Sequence, residues 1–120
     1  MSEPATSERA VAGAEELRRI LVKYEQYWHA DYIAEALLFA EHEHGEFLRR
    51  LASGDVWGSA GSVDDMAFEP LPGQHRSELE SDWKVMDRCL LAIAEAVIDA
   101  GLSNEKIRWR AQFIRTQLGG

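Results

Sequence analysis

Apolar residues recur at helical spacing along most of this chain. Ala10, Ala14, Leu17, Leu21, Tyr24 and Trp28 alternate at intervals of four and three, which sets them on one stripe of a helix starting near Ser7. Glu15, Glu16, Arg18, Arg19, Lys23 and Glu25 fall mostly off that stripe, so the helix is amphipathic. A second stripe, Ala30, Ile33, Leu37 and Ala40, follows His29. Neither Gly nor Pro separates the two, so one long helix competes with a broken one. A break between Tyr27 and Asp31 is expected, with Asp31 near the second helix's N-terminus, where its charge suits the helix dipole. Gly45 offers a C-cap, and Phe47, Leu48 and Leu51 predict a short third helix ended by Gly54.

From Asp55 to Gln74 the periodicity vanishes and Gly, Ser, Asp and Pro collect. Pro70 and Pro72 forbid a continuous helix there, and an irregular stretch of this length inside a small domain is more often functional than idle. Ser77-Glu78-Leu79-Glu80 matches a capping box. The stripe after it, Leu79, Trp83, Met86, Leu90, Ile93, Val97 and Ala100, keeps the four-three alternation for about six turns, and Gly101 ends it. Ser103 is placed to cap a last helix with Ile107, Ala111, Ile114 and Leu118 facing inward and Trp109 and Phe113 on a flank. No strand alternation of useful length and no internal repeat interrupts this pattern. The predicted fold is all-α, a compact bundle of four to five helices with one long irregular loop, about 55–75, before the central long helix. It forms a single domain over 1–120, with 1–6 as a flexible N-terminus.

Composition agrees with a packed domain. The 120 residues are 46% hydrophobic and 28% charged, away from the low-hydrophobicity, high-charge corner that marks disorder. A chain of this length buries roughly two-thirds of its unfolded surface, enough for a core without staples. Cys89 is the single cysteine, so an internal disulfide is impossible, and its apolar neighbours predict a buried, inert thiol. The chain suits a reducing, cytoplasmic setting. The first nine residues lack the basic start and apolar run of a leader, and Glu35, Glu41 and Glu95 cut the later apolar runs short of a bilayer span.

Charge changes the functional picture. With 13 Lys and Arg against 21 Asp and Glu, a net charge of −8 repels phosphate backbones and anionic lipid surfaces, so neither nucleic acid nor membrane is an expected partner. The acids concentrate in the middle: Asp55, Asp64, Asp65, Glu69, Glu78, Glu80, Asp82 and Asp87 face only Arg76 and Lys84. From Ser103 on the sign reverses, with Lys106, Arg108, Arg110 and Arg115 against Glu105. Either the basic end packs beside the acidic middle and neutralises it, or the middle stays exposed to attract a basic protein.

Candidate chemistry is sparse. Glu41-His42-Glu43-His44 concentrates metal-ligand types, and on a helix Glu41 and His44 stand at the i, i+3 spacing of diiron carboxylate bundles. Such bundles need a second pair and two further glutamates, and zinc proteases need histidines four apart on one helix. Glu41, His42 and His44 therefore remain weak metal candidates, and no cofactor is expected. Asp64 and Asp65 with Asp55 and Glu69 supply oxygens for a hard cation, but the EF-hand spacing is absent and a turn acceptor is the favoured role for Asp65. Gly61-Ser62-Val63 lacks the nucleophile-elbow pattern, and Gly58-Ser59-Ala60-Gly61 lacks the Lys-Ser/Thr of a phosphate loop. No enzyme class is indicated.

The loop offers recognition hardware instead. Trp57 supplies a wide amphipathic surface, and Asp55, Asp64, Asp65 and Glu69 supply carboxylates for a partner's Arg or Lys. The structural alternative is that Trp57, Val63, Met66 and Phe68 fold back to close the bundle. Trp57, Gly58, Gly61, Ser62 and Asp65 resemble the Gly-Gly-x-Gly-Ser-Phe-Asn-Asp loop of a family of small uncharacterised bacterial proteins, with Ser59, Val63 and Asp64 departing from it. The resemblance covers Leu17 to Val97. It implies a cytoplasmic helical domain without an assigned reaction, of the kind met as immunity or accessory proteins of bacterial toxin systems, and it carries over no catalytic residue. The leading expectation is a non-catalytic protein-binding module that neutralises a basic partner through its acidic surface. A metal- or small-ligand-binding helical protein and a structural homodimer subunit are the alternatives.

Overall fold

The computed structural model describes residues 6–57, 62–63 and 68–119, with side chains from Glu8 on. Among these residues six helices follow one another: α1 Thr6–Lys23, α2 Tyr27–Leu37, α3 His44–Leu51, the single turn α4 Gly54–Trp57, α5 Arg76–Asp99 and α6 Glu105–Gln117. The described residues hold no strand, so the fold is all-α as the periodicity predicts. A radius of gyration of 13.9 Å matches the ~14 Å of a compact chain of this length. No helix among the described residues is long and apolar enough to cross a membrane.

The most extensive helix pair is α1 with α5. Ala10, Ala14, Leu17, Ile20 and Leu21 of α1 meet Met86, Cys89, Leu90, Ile93 and Val97 of α5 in one buried cluster. Gly13 lets the two approach, because a Cβ there would stand 3.2 Å from the Cys89 carbonyl oxygen. α2 packs on the α1 side, α6 on the α5 side, and α3 touches both α2 and α5.

The first helix breaks earlier than expected. α1 stops at Lys23 in a Schellman motif: the Gln26 amide donates to the Leu21 carbonyl at 2.8 Å, and the Glu25 amide donates to Val22 at 3.0 Å. Glu25 takes the left-handed conformation that glycine usually fills, with φ at 61°, so no glycine marks the break in the sequence. Tyr27 and Trp28 consequently open α2. Trp28 leaves the α1 stripe on which its spacing set it, and Asp31 stands in the second turn of α2 instead of at its start.

Other boundaries move for similar reasons. Gly45 lies inside α3 and caps nothing, since α2 ends at Leu37 with Leu38 as C-cap, and Ala40 falls in the following turn. Gly54 opens α4, whereas α3 ends at Leu51 with Ala52 as C-cap. The capping box does not form: α5 starts at Arg76 after an extended His75, and Glu80 bonds Arg76 at 3.0 Å instead of reaching back to a backbone donor. Trp83 and Ala100 of the predicted α5 stripe are exposed. Gly101 does end α5, in a second Schellman motif with φ at 75°. Asn104, not Ser103, caps α6, its side chain accepting from the Ile107 amide at 2.9 Å.

Candidate functional site

The turn at Glu25 decides what α2 shows to solvent. α2 buries Ala30, Ile33 and Ala36. Trp28, Asp31, Tyr32 and Glu35, spaced i, i+3, i+4 and i+7, share another face and line a shallow groove of about 280 Å³. Trp28 is 63% exposed, the value of a residue standing in water and not of one closing a core.

The groove has one fixed wall. The Tyr32 hydroxyl donates to the Arg50 carbonyl at 2.9 Å and shares a hydrogen bond with Ser53 Oγ at 2.6 Å, which ties α2 to the end of α3. Trp28 stacks on the ring so fixed, centroids 6.2 Å apart and planes 19° from parallel, and meets the edge of His29 at 5.0 Å. Among the described residues neither Asp31 nor Glu35 takes an ion-pair partner. Two aromatic faces beside two uncompensated carboxylates attract a cation through ring quadrupole and charge together, and the planar guanidinium stacks best.

A second polar cluster behaves in the opposite way. Tyr24 Oη donates to Asp82 at 2.6 Å and accepts from Gln74 Nε2 at 2.7 Å, while Lys23 Nζ reaches Asp82 at 2.7 Å and Glu78 at 2.9 Å. The Tyr24 ring lies parallel to Phe68 at 4.4 Å. Burial pushes the Asp82 carboxyl up, but the bonds from Lys23 and Tyr24 outweigh it and hold the group below its ordinary range. The bonds to Asp82 and then Glu78 hold the Lys23 ammonium above its usual value. These bonds fasten α1 to α5 and to the segment before α5. Burial also pushes the Cys89 thiol up to about 12, which leaves it protonated and unreactive.

The loop residues singled out by sequence divide. Trp57 does not serve as a surface anchor: it is 2% exposed and its indole N–H donates to the Leu51 carbonyl at 2.7 Å. Val63 and Phe68 are buried with it, so three of the four apolar loop residues close the bundle, and Met66 lies outside the described residues. The expected irregular stretch also begins later, since Asp55 to Trp57 form α4. Asp55 and Glu69 are exposed; Asp64 and Asp65 lie outside the described residues, as do residues 1–5 of the expected flexible start. Thr6 belongs to α1.

The acidic middle is partly neutralised. Lys23 takes Glu78 and Asp82, Arg76 takes Glu80, and Arg115 of α6 takes Glu95 outside that stretch at 3.2 Å. The metal candidates do not converge. Glu41 and His42 sit fully in solvent on the turn after α2, so the helical i, i+3 spacing is not realised. His44 points inward, its Nδ1 on the Ala40 carbonyl at 3.0 Å and its Nε2 buried. No group of three metal-ligating side chains gathers among the described residues.

Sequence reasoning passed over the α2 groove because Trp28 was assigned to the α1 stripe. A signal was present: Trp28, Asp31, Tyr32 and Glu35 form a helical face of aromatic and acidic residues in a segment without Lys or Arg. No protein-family model, curated protein or solved structure matches this chain.

Proposed function

We propose that this chain is a non-catalytic protein-binding module whose α2 face receives a cationic side chain from a basic protein partner. The observation that carries the reading is the groove of Trp28, Asp31, Tyr32 and Glu35, where a fixed aromatic wall meets two carboxylates without ion-pair partners among the described residues. The net charge of −8 speeds encounter with a basic protein and disfavours nucleic acid and anionic membrane. The single buried thiol suits a cytoplasmic setting. An immunity or accessory role is the form of this reading that the loop resemblance supports.

The test is titration of an arginine-bearing helical peptide, with tryptophan fluorescence and calorimetry as readouts. Binding is expected to be lost in Trp28→Ala and in Asp31→Asn/Glu35→Gln, and for a peptide with Gln in place of Arg. Asp64→Asn/Asp65→Asn, which moves the question to the loop, is expected to leave it intact. Affinity indifferent to the α2 changes, or abolished only by the loop pair, sinks the proposal for this face.

A further inference from the structure

The outer face of α2 continues past the groove. Leu38, the C-cap of α2, keeps right-handed helical backbone and is 79% exposed. It stands three positions after Glu35 and seven after Asp31, so it falls on the same outer side of the helix, away from the buried Ala30, Ile33 and Ala36. Of the eight large apolar side chains exposed among the described residues, Tyr27, Trp28 and Leu38 belong to α2 and its cap. Apolar residues exposed singly are ordinary, but three on one face with two carboxylates between them make a patterned surface. Its order is aromatic at the start of α2, acidic in the middle and aliphatic at the end. At 1.5 Å per residue the line from Trp28 to Leu38 is ~15 Å long.

We infer that the partner segment seated on this face is an amphipathic helix lying along α2, with two cationic side chains one turn apart over Asp31 and Glu35 and an apolar side chain one turn further on over Leu38. The inference rests on the reading of the groove as a receptor for cations, and it adds what presents those cations. Charge complementarity sets the register: Asp31 and Glu35, without ion-pair partners among the described residues, stand at i and i+4, the interval at which a second helix lines up two side chains on one face. The surface offers side chains only, because α2 spends its backbone groups on its own helix. An extended segment draws its affinity from main-chain bonds to an open strand edge, and the described residues hold no strand. A helix satisfies its own backbone and binds through anchors at i, i+4 and i+7, which is the spacing of Asp31, Glu35 and Leu38. A lone arginine would use the aromatic and acidic part of the face and leave Leu38 in water.

Calorimetric titration of three peptides of equal length and charge tests it, on the wild type and on Leu38→Ala. The first is helical, with Arg at two positions four apart and Leu three positions further on; the second has Gln in place of that Leu; the third keeps the first's Arg and Leu but carries Pro midway between the two Arg residues, which breaks the helix. On the wild type the first is expected to bind about tenfold more tightly than either of the others, the gain of burying one leucine side chain. On Leu38→Ala the first and second are expected to bind alike. Leu38 is exposed, so the variant keeps the fold, with circular dichroism as the check. Equal affinities for the first and second peptides on the wild type, an advantage that survives Leu38→Ala, or a Pro-bearing peptide as tight as the first overturns the inference. If the Gln-bearing peptide still binds in those cases, and loses binding in Asp31→Asn/Glu35→Gln, only the helical partner falls and the groove's cation reading stands. Binding by none of the three sinks both.

Discussion

Tyr24 and Trp28 are four residues apart, and they belong to opposite kinds of surface. Around Tyr24 the hydroxyl, the Asp82 carboxylate, the Lys23 ammonium and the Gln74 amide consume one another within 2.6 to 2.7 Å. Around Trp28 the neighbouring Tyr32 ring is fixed, but the carboxylates of Asp31 and Glu35 take no cation from the described residues. The difference separates two uses of polar residues: one network spends its groups within the fold, and the other leaves carboxylates open at the face for which we propose recognition. A single left-handed residue, Glu25, stands between the two.

That contrast is broken most forcefully from the closed side. Trp57, whose indole is enclosed and bonded to Leu51, belongs with Tyr24 among the inward aromatics. Trp57→Ala is expected to cost about 3–5 kcal/mol, read as a fall in the urea midpoint, and peptide binding by the surviving folded fraction should persist. A loss under ~1 kcal/mol would mean that the indole is not a core element.

Asp82→Asn strikes the knot itself and is expected to cost about 1.5–3 kcal/mol, because a charged hydrogen-bond acceptor is removed from a partly buried network. Its pH signature follows from the shifts. The lowered Asp82 contributes stability that is present above its unfolded value of about 3.9 and lost as pH falls through its folded value. The raised Lys23 contributes stability that is present below about 10.4 and lost as pH rises through its folded value. Unfolding midpoints should therefore form a plateau between about pH 4 and 10, and Asp82→Asn should flatten the acid limb; an unchanged limb assigns acid unfolding to other carboxylates.

The smallest effect on stability should come from the open side. Trp28→Ala touches an exposed side chain and is expected to move the midpoint by no more than about 0.5 kcal/mol. A destabilisation of the size predicted for Asp82→Asn would erase the distinction between the two regions and make the α2 face part of the fold.

Much of the architecture was legible because buried stripes announce themselves. Leu79, Met86, Leu90, Ile93 and Val97 of α5, and Ile107, Ala111 and Ile114 of α6, are buried as their spacing required. What was not legible were the points where backbone chemistry overrides residue type. Glu25 occupies a position whose positive φ ordinarily signals Gly, so the α1–α2 break had no marker and the site beyond it was read as core. Ser77 and Glu80 have the sequence of a capping box, yet His75 takes the N-cap position and Arg76 competes for the Glu80 carboxylate. Trp57 illustrates a third limit. A tryptophan in an acidic, glycine-bearing stretch looks like an anchor until the carbonyl that satisfies its N–H is located six residues back, at Leu51.

The pairing of α1 with α5 governs how the molecule assembles. The Lys23–Asp82 bond joins positions 59 apart, so the most extensive helix contact is among the least local. Closing such a span costs on the order of 3–4 kcal/mol of chain entropy, whereas the short turn between α1 and α2 closes cheaply. An α1–α2 hairpin is therefore expected to form before α5 docks, with the close approach of Gly13 to the Cys89 carbonyl made in the docking step. This all-helical chain should refold more slowly than bundles built from adjacent helices, at a rate that substitutions at Gly13 alter and substitutions on the outer face of α2 leave alone.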